Sequence, residues 1–180
     1  MSLPPPDCER TPAHRRSITV QAYQRTDGLW DIEGHLSDAW PTPVPMADGH
    51  LPAGQPMHSM WLRLTVDATA TIVGATATVA AGPYGQACAA IAPDYSKLVG
   101  VKVAGGYRAA IRQLLGRTAG CTHMNELAGV MGSAVLQAMW EVLMQDADSK
   151  PFSIDGCHAL KASGPQVARF FPRWYRPEAG

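Results

Sequence analysis

The chain has 180 residues, 46% of them apolar, with 15 Lys and Arg set against 15 Asp and Glu. That length and apolar content suit one domain with a substantial core, and the even charge balance lacks the basic footprint of a nucleic-acid-binding protein. No apolar run approaches the roughly 18 residues of a membrane span, and the start, MSLPPPDCERTPAHRR, carries neither the apolar segment nor the cleavage site of a secretory signal, so the expected place is the cytoplasm.

Residues 1–15 read as a disordered arm, because Pro4-Pro5-Pro6 is extended and little there can be buried. The rest, 16–180, reads as a single domain. Residues 16–38 form a hairpin: Ile18, Val20 and Ala22 alternate with polar neighbours, and Thr26-Asp27-Gly28 marks the turn. Trp30, Ile32, Gly34 and Leu36 then alternate with Asp31, Glu33 and His35. Asp31, Glu33 and Asp38 are open to two readings, acid/base groups or a solvated strand face. Residues 39–56, dense in Pro and Gly, form a long loop of the kind that serves as a lid or binding loop, with Trp40 and His50 as pocket-lining candidates.

The core spans 57–145. Residues 57–67 are a strong strand, with Met60, Leu62, Leu64 and Val66 on one face and Trp61, Arg63, Thr65 and Asp67 on the other. His58 is in phase with the inner set and points toward the core at the strand's start. A turn leads to a second strand at 71–80. Three helical stretches follow: one opened by Cys88 and stopped at Gly100, one from Ala104 to Leu115, and a long one capped by Thr122 or Asn125. The last presents Leu127, Val130, Met131, Ala134 and Ala138 on one face through about Gln145. In the tail, 146–180, the aromatics Phe170, Phe171, Trp174 and Tyr175 pack the C-terminus on the body, while Cys157 and His158 have no assigned role.

The four cysteines, Cys8, Cys88, Cys121 and Cys157, read as thiols rather than a disulfide framework. The richest chemistry lies in Gly120-Cys121-Thr122-His123-Met124-Asn125-Glu126. A helix N-terminus favours negative charge, so Cys121 is placed to become thiolate, the form that attacks carbon or binds metal. Cys-x-His is too short to close a zinc site alone, so other ligands must converge. His58 and Cys88, each beginning an element, are the candidates. A set of His58, Cys88, Cys121 and His123 suits zinc or iron. The alternative is that each is merely packed, since free cysteine is often buried and a lone inward histidine often belongs to the core. No nucleotide cofactor is expected, because no dinucleotide or phosphate-binding glycine motif occurs.

The motif order Arg25-Thr26-Asp27-Gly28-Leu29-Trp30-Asp31-Ile32-Glu33-Gly34, Gly54-Gln55-Pro56-Met57-His58-Ser59-Met60, Leu98-Val99-Gly100 and Gly120-Cys121-Thr122-His123 resembles an uncharacterised bacterial family known as a domain of unknown function. From Gly54 to Ala138 the layout is more distantly similar to the NifU-type iron–sulfur scaffold. There His58 falls at the first cysteine, Cys88 at the second and Cys121 at the third, with His123 near the scaffold's histidine. That likeness implies an α+β fold, an antiparallel sheet with three helices on one face, here with an added N-terminal hairpin. The scaffold's first Cys is a His here, and its following Asp is absent. These departures speak against cluster assembly.

The favoured reading is a small cytoplasmic enzyme of lyase or hydrolase type acting on a small organic molecule, which Trp40 and Trp61 make conceivable as an aromatic one. His58, Cys121, His123 and Glu126 would be catalytic, and a zinc or iron ion would sit on His58, Cys88, Cys121 and His123. Alternatives are an iron–sulfur or metal carrier, and a binding module without catalysis. A homodimer is permitted. Neither a nucleic acid nor a membrane is an expected partner.

Overall fold

Alternating apolar residues on either side of the Asp27-Gly28 turn make two long paired strands, β1 (Arg15–Gln24) and β2 (Trp30–Ala39). This is a computed structural model, and it describes residues 3–47, 49–144 and 148–178. The expected loop at 39–56 holds a small hairpin of its own, β3 (Val44–Met46) and β4 (Gly49–Leu51). Two further strands follow, β5 (Pro56–Val66) and β6 (Ile72–Ala81).

The main sheet is antiparallel in the order β1-β2-β5-β6. The N-terminal hairpin is therefore half of the sheet, with β2 in its interior. Rows run across the inner face in register: Ala22, Ile32, Leu64 and Ala75; then Val20, Gly34, Leu62 and Ala77; then Ile18, Leu36, Met60 and Val79. Ile32, Leu36, Met60, Leu62 and Leu64 are fully buried. The outer face carries the polar residues that alternate with them, and there Trp61 stacks on His35 with ring centroids 4.0 Å apart.

The fold is α+β, with helices over one face of the sheet. The long helix α3 (Thr122–Ala138) lies across β1, β2 and β5. A 3-10 helix at Ala92–Leu98 lies over β6, and α2 (Tyr107–Leu115) packs on both helices. Gly34 lets α3 come close: a Cβ there would fall 2.7 Å from Met131 Sδ and 2.9 Å from Leu127 Cδ1.

Several boundaries differ from the sequence reading, each for a local reason. The helix expected to open at Cys88 splits. A single turn, α1 (Gln86–Ala89), holds Cys88 inside it, and Pro93 then opens the 3-10 helix. The second helix starts at Tyr107, because Gly105 and Gly106 both take left-handed φ. The N-cap of α3 is Cys121, not Thr122 or Asn125, and no side chain caps it. The buried stripe of α3 is Met124, Leu127, Ala128, Met131 and Val135, whereas Val130 lies off it and is exposed. The helix stops at Ala138, and a further turn, α4 (Trp140–Leu143), follows; the expected end at Gln145 lies outside the described residues. In the tail, Ile154 and Val167 are buried but Phe170 is exposed, so the anchors are aliphatic rather than that aromatic. Val167 lies on a short helix, α5 (Pro165–Phe170).

Candidate metal centre

The period-2 rule that buries Ile32, Gly34 and Leu36 carries on to Asp38, the next inward residue of β2. Its carboxylate is 1% exposed, so the solvated-face reading fails for it. Asp31 and Glu33 have the opposite phase and serve the outer face, where Asp31 accepts from Thr65 Oγ1 and Glu33 pairs with Arg63. Asp38 faces Arg16 on β1 and His58 on β5, so one more row crosses the sheet, and this one is polar. A register shift between Asp38 and Ala39, opposite Pro56–His58, puts a bulge at Met57 beside it; bulges of this kind aim side chains next to sites.

The Asp38 carboxylate is surrounded by donors. Arg16 grips it in a fork, Nε to Oδ1 at 2.7 Å and a terminal nitrogen to Oδ2 at 2.8 Å. His58 Nδ1 lies 3.1 Å from Oδ2, and His14 Nε2 lies 3.2 Å from Oδ1. His123, in the first turn of α3, brings Nε2 to 3.8 Å from Oδ2. Its ring stacks on His58 with centroids 3.8 Å apart. Burial alone would push the Asp38 carboxyl up; the Arg16 guanidinium, helped by His58 and His14, outweighs it and holds the group below the usual carboxylate range. Burial, then His58 and Arg16, push the His123 imidazole down, against the weaker pull of Asp38 and Glu126. A depressed imidazole is held in the neutral form that ligates metal.

Remote contacts fix the first turn of α3. The buried Tyr95 hydroxyl accepts the Cys121 N–H at 3.1 Å and donates to Asn125 Oδ1 at 2.7 Å. Asn125 Nδ2 in turn donates to the Leu115 carbonyl at 2.6 Å. Gly120 permits this turn, since a Cβ would fall 2.1 Å from that same carbonyl oxygen. The loop-closing tyrosine thus sets where Cys121 and His123 stand over the sheet.

Asp38, His58 and His123 could hold a metal ion: one ligand atom from each lies within 4.8 Å of the others. Donors bound to zinc at about 2.0–2.1 Å in a tetrahedron sit about 3.3 Å apart, and the distances of 3.1 Å and 3.8 Å from Asp38 bracket that value. Of the residues chosen from sequence, the structure brings His58 and His123 together. Cys121 stands beside them, its Sγ 4.0 Å from His123 Nδ1. Cys88 does not join them: it packs on Gly82, where a Cβ would lie 2.9 Å from its Sγ. Glu126 is exposed and ion-paired with Arg16. Sequence reasoning passed over His14, which lies in the supposed arm, and Arg16, the first residue of the expected hairpin.

The Pro/Gly loop does line a cavity, of about 410 Å3, at this end of the sheet. Its wall takes Met46 and Leu51 from the loop's hairpin, and Pro56 and Met57 immediately before His58. Trp40 is elsewhere, its ring 4.5 Å from His14. Among the described residues no helix is long and apolar enough to cross a membrane.

No curated protein and no solved structure gives a match to the chain, so the likeness to the NifU-type scaffold rests on motif order alone. A family model does match, over residues 14–137, a span that runs from His14 through β1 into the last turn of α3 and takes in every residue of the polar row together with Cys121, His123 and Glu126. The chain accordingly belongs to the family described as Protein of unknown function (DUF2889).

Proposed function

We propose that this chain is a small metal-assisted enzyme of lyase or hydrolase type, with a zinc or iron ion held by Asp38, His58 and His123. The observation that carries the reading is the meeting of three metal-binding donors from β2, β5 and α3 within 4.8 Å, one of them a buried carboxylate. Three protein ligands leave a position for water or substrate, as catalytic zinc sites do. An ion there supplies Lewis acidity or an activated water. Cys121, beside His123, would act on the same bound molecule as nucleophile or hydrogen-bond donor. Arg16 would orient Asp38 from behind, and Glu126 would hold Arg16. The apolar cavity whose wall includes Met57 suits an organic substrate, an aromatic one included. The donor set does not favour an iron–sulfur carrier, because clusters are held chiefly by thiolates and none is among the three.

One observation favours a second, metal-free reading. The forked Arg16 places a positive charge on the same carboxylate that would bind a dication. In that case Asp38 orients His58 through Nδ1, and His58 and His123 serve as acid and base. Zinc titration of untagged protein, followed by calorimetry, separates the two. The metal reading expects about one ion per chain, bound at least tenfold more weakly after His58→Ala or His123→Ala. Binding that is absent, or unaltered in both variants, leaves only the acid–base reading.

A further inference from the structure

We propose that the cleft between α2 and α3 is a second binding site, a cationic pocket for the phosphate group of a small organic molecule. Two adjoining cavities, of about 350 and about 450 Å3, share Arg108, Arg112 and Gly129 as walls. Arg117, on the turn after α2, completes the cationic end. Arg108 and Arg112 stand one helical turn apart on α2, a like-charge spacing that is unfavourable without a counter-charge. Three other arginines hold carboxylates, Arg16 with Asp38, Arg25 with Asp27 and Arg63 with Glu33. Arg108, Arg112 and Arg117 make no ion pair among the described residues. The one carboxylate in their cavity, Glu126, is engaged by Arg16. Three guanidinium groups thus face a space with no free counter-charge.

The surroundings match an anion that carries an organic body. The first turn of the 17-residue helix α3 opens on the cationic end through Thr122 and Asn125, adding the positive end of its dipole. Gly129 leaves the floor open, with the Arg108 guanidinium 3.7 Å from where its Cβ would be. The second cavity has Val103, Tyr107 and Leu136 in its wall. Tyr107 gives that wall its ring, which Gly132 lets come close: a Cβ there would fall 2.5 Å from Tyr107 Cδ1. Planar guanidinium forks bind phosphate oxygens in pairs, and a dianion answers several of them better than a single carboxylate. The neutral overall charge favours a small molecule over a nucleic acid.

The proposal does not depend on the metal centre, so its test is run in EDTA. Pyrophosphate is titrated into the full chain by calorimetry, with sulfate at matched ionic strength as control. Saturable binding is expected, weakened at least tenfold in the Arg108→Gln/Arg112→Gln double variant and in Arg117→Gln, and unchanged in His58→Ala. Unfolding midpoints check that the exposed substitutions leave the fold intact. The proposal is overturned by absence of saturable binding, by sulfate reproducing the heat, or by undiminished binding in both arginine variants.

Discussion

The inner face of the sheet meets α3 in two different ways. Toward one end the rows are apolar: Ile32 and Leu64, then Gly34 and Leu62, then Leu36 and Met60, under Leu127 and Met131. One row further, on the same strands and the same face, Arg16, Asp38 and His58 stand side by side under His123. Burying an apolar side chain contributes about 1.5–3 kcal/mol, whereas a buried ion pair contributes little net because desolvation offsets attraction. The apolar rows hold the fold together, and the polar row is a departure from that pattern whose worth, on the proposed function, lies in its chemistry. A protein needing only stability at this position would do as well with aliphatic residues.

The largest stability loss is expected in the apolar rows. Leu36→Ala should lower unfolding free energy by about 3 kcal/mol in urea, as buried leucine truncations do, while metal bound per folded chain stays unchanged. Asp38→Asn should cost about 2 kcal/mol, since Arg16 and the histidines lose their shared counter-charge but keep partial access to water, and it should abolish metal binding. Its pH dependence has a definite sign. The folded Asp38 carboxyl lies below its ordinary value of 3.8, so its contribution is full above that value and fades as pH falls through the folded one. Metal-free wild type and Asp38→Asn should therefore converge in stability at strongly acid pH.

Gly34→Ala sits between the two regions. Its new Cβ meets the ends of the flexible Met131 and Leu127 side chains, so about 1–2 kcal/mol is expected from overpacking. Because the same helix carries His123, metal affinity should weaken with it. Unchanged affinity would mean that α3 does not position the site. The smallest effect belongs to Cys88→Ser. This thiol packs on Gly82 away from the polar row, so the change should stay under about 1 kcal/mol and metal content should not move. A loss of metal in that variant would return Cys88 to the ligand set.

Much of this arrangement was legible in the residues themselves. Period 2 along 57–67 placed His58 inward, and the Cys-x-His at a helix start marked His123. The same alternation, carried two residues past Leu36, points Asp38 inward too; grouping it with Asp31 and Glu33, which have the other phase, hid it. His14 was obscured because a Pro-rich start suggests an arm, and Arg16 because an arginine opening a hairpin gives no local sign of the carboxylate it meets on the next strand. Cys88 illustrates the converse. Its order in the chain fits a ligand, but where a four-residue helix packs depends on contacts with Gly82 that no periodicity encodes. The anchor of the α3 N-terminus also escaped sequence reasoning, because it comes from Tyr95, far away in the chain and recognisable only once the fold brings it to the Cys121 N–H.

The central claim, that Asp38, His58 and His123 form one metal centre, is tested most directly by anomalous diffraction at the zinc edge from crystals of the untagged chain grown with zinc. The account predicts a single strong peak bonded to Asp38, His58 and His123, at about 2.0–2.2 Å from its ligand atoms. A fully dosed crystal with no peak at these side chains, and Arg16 still forked on Asp38, would contradict it.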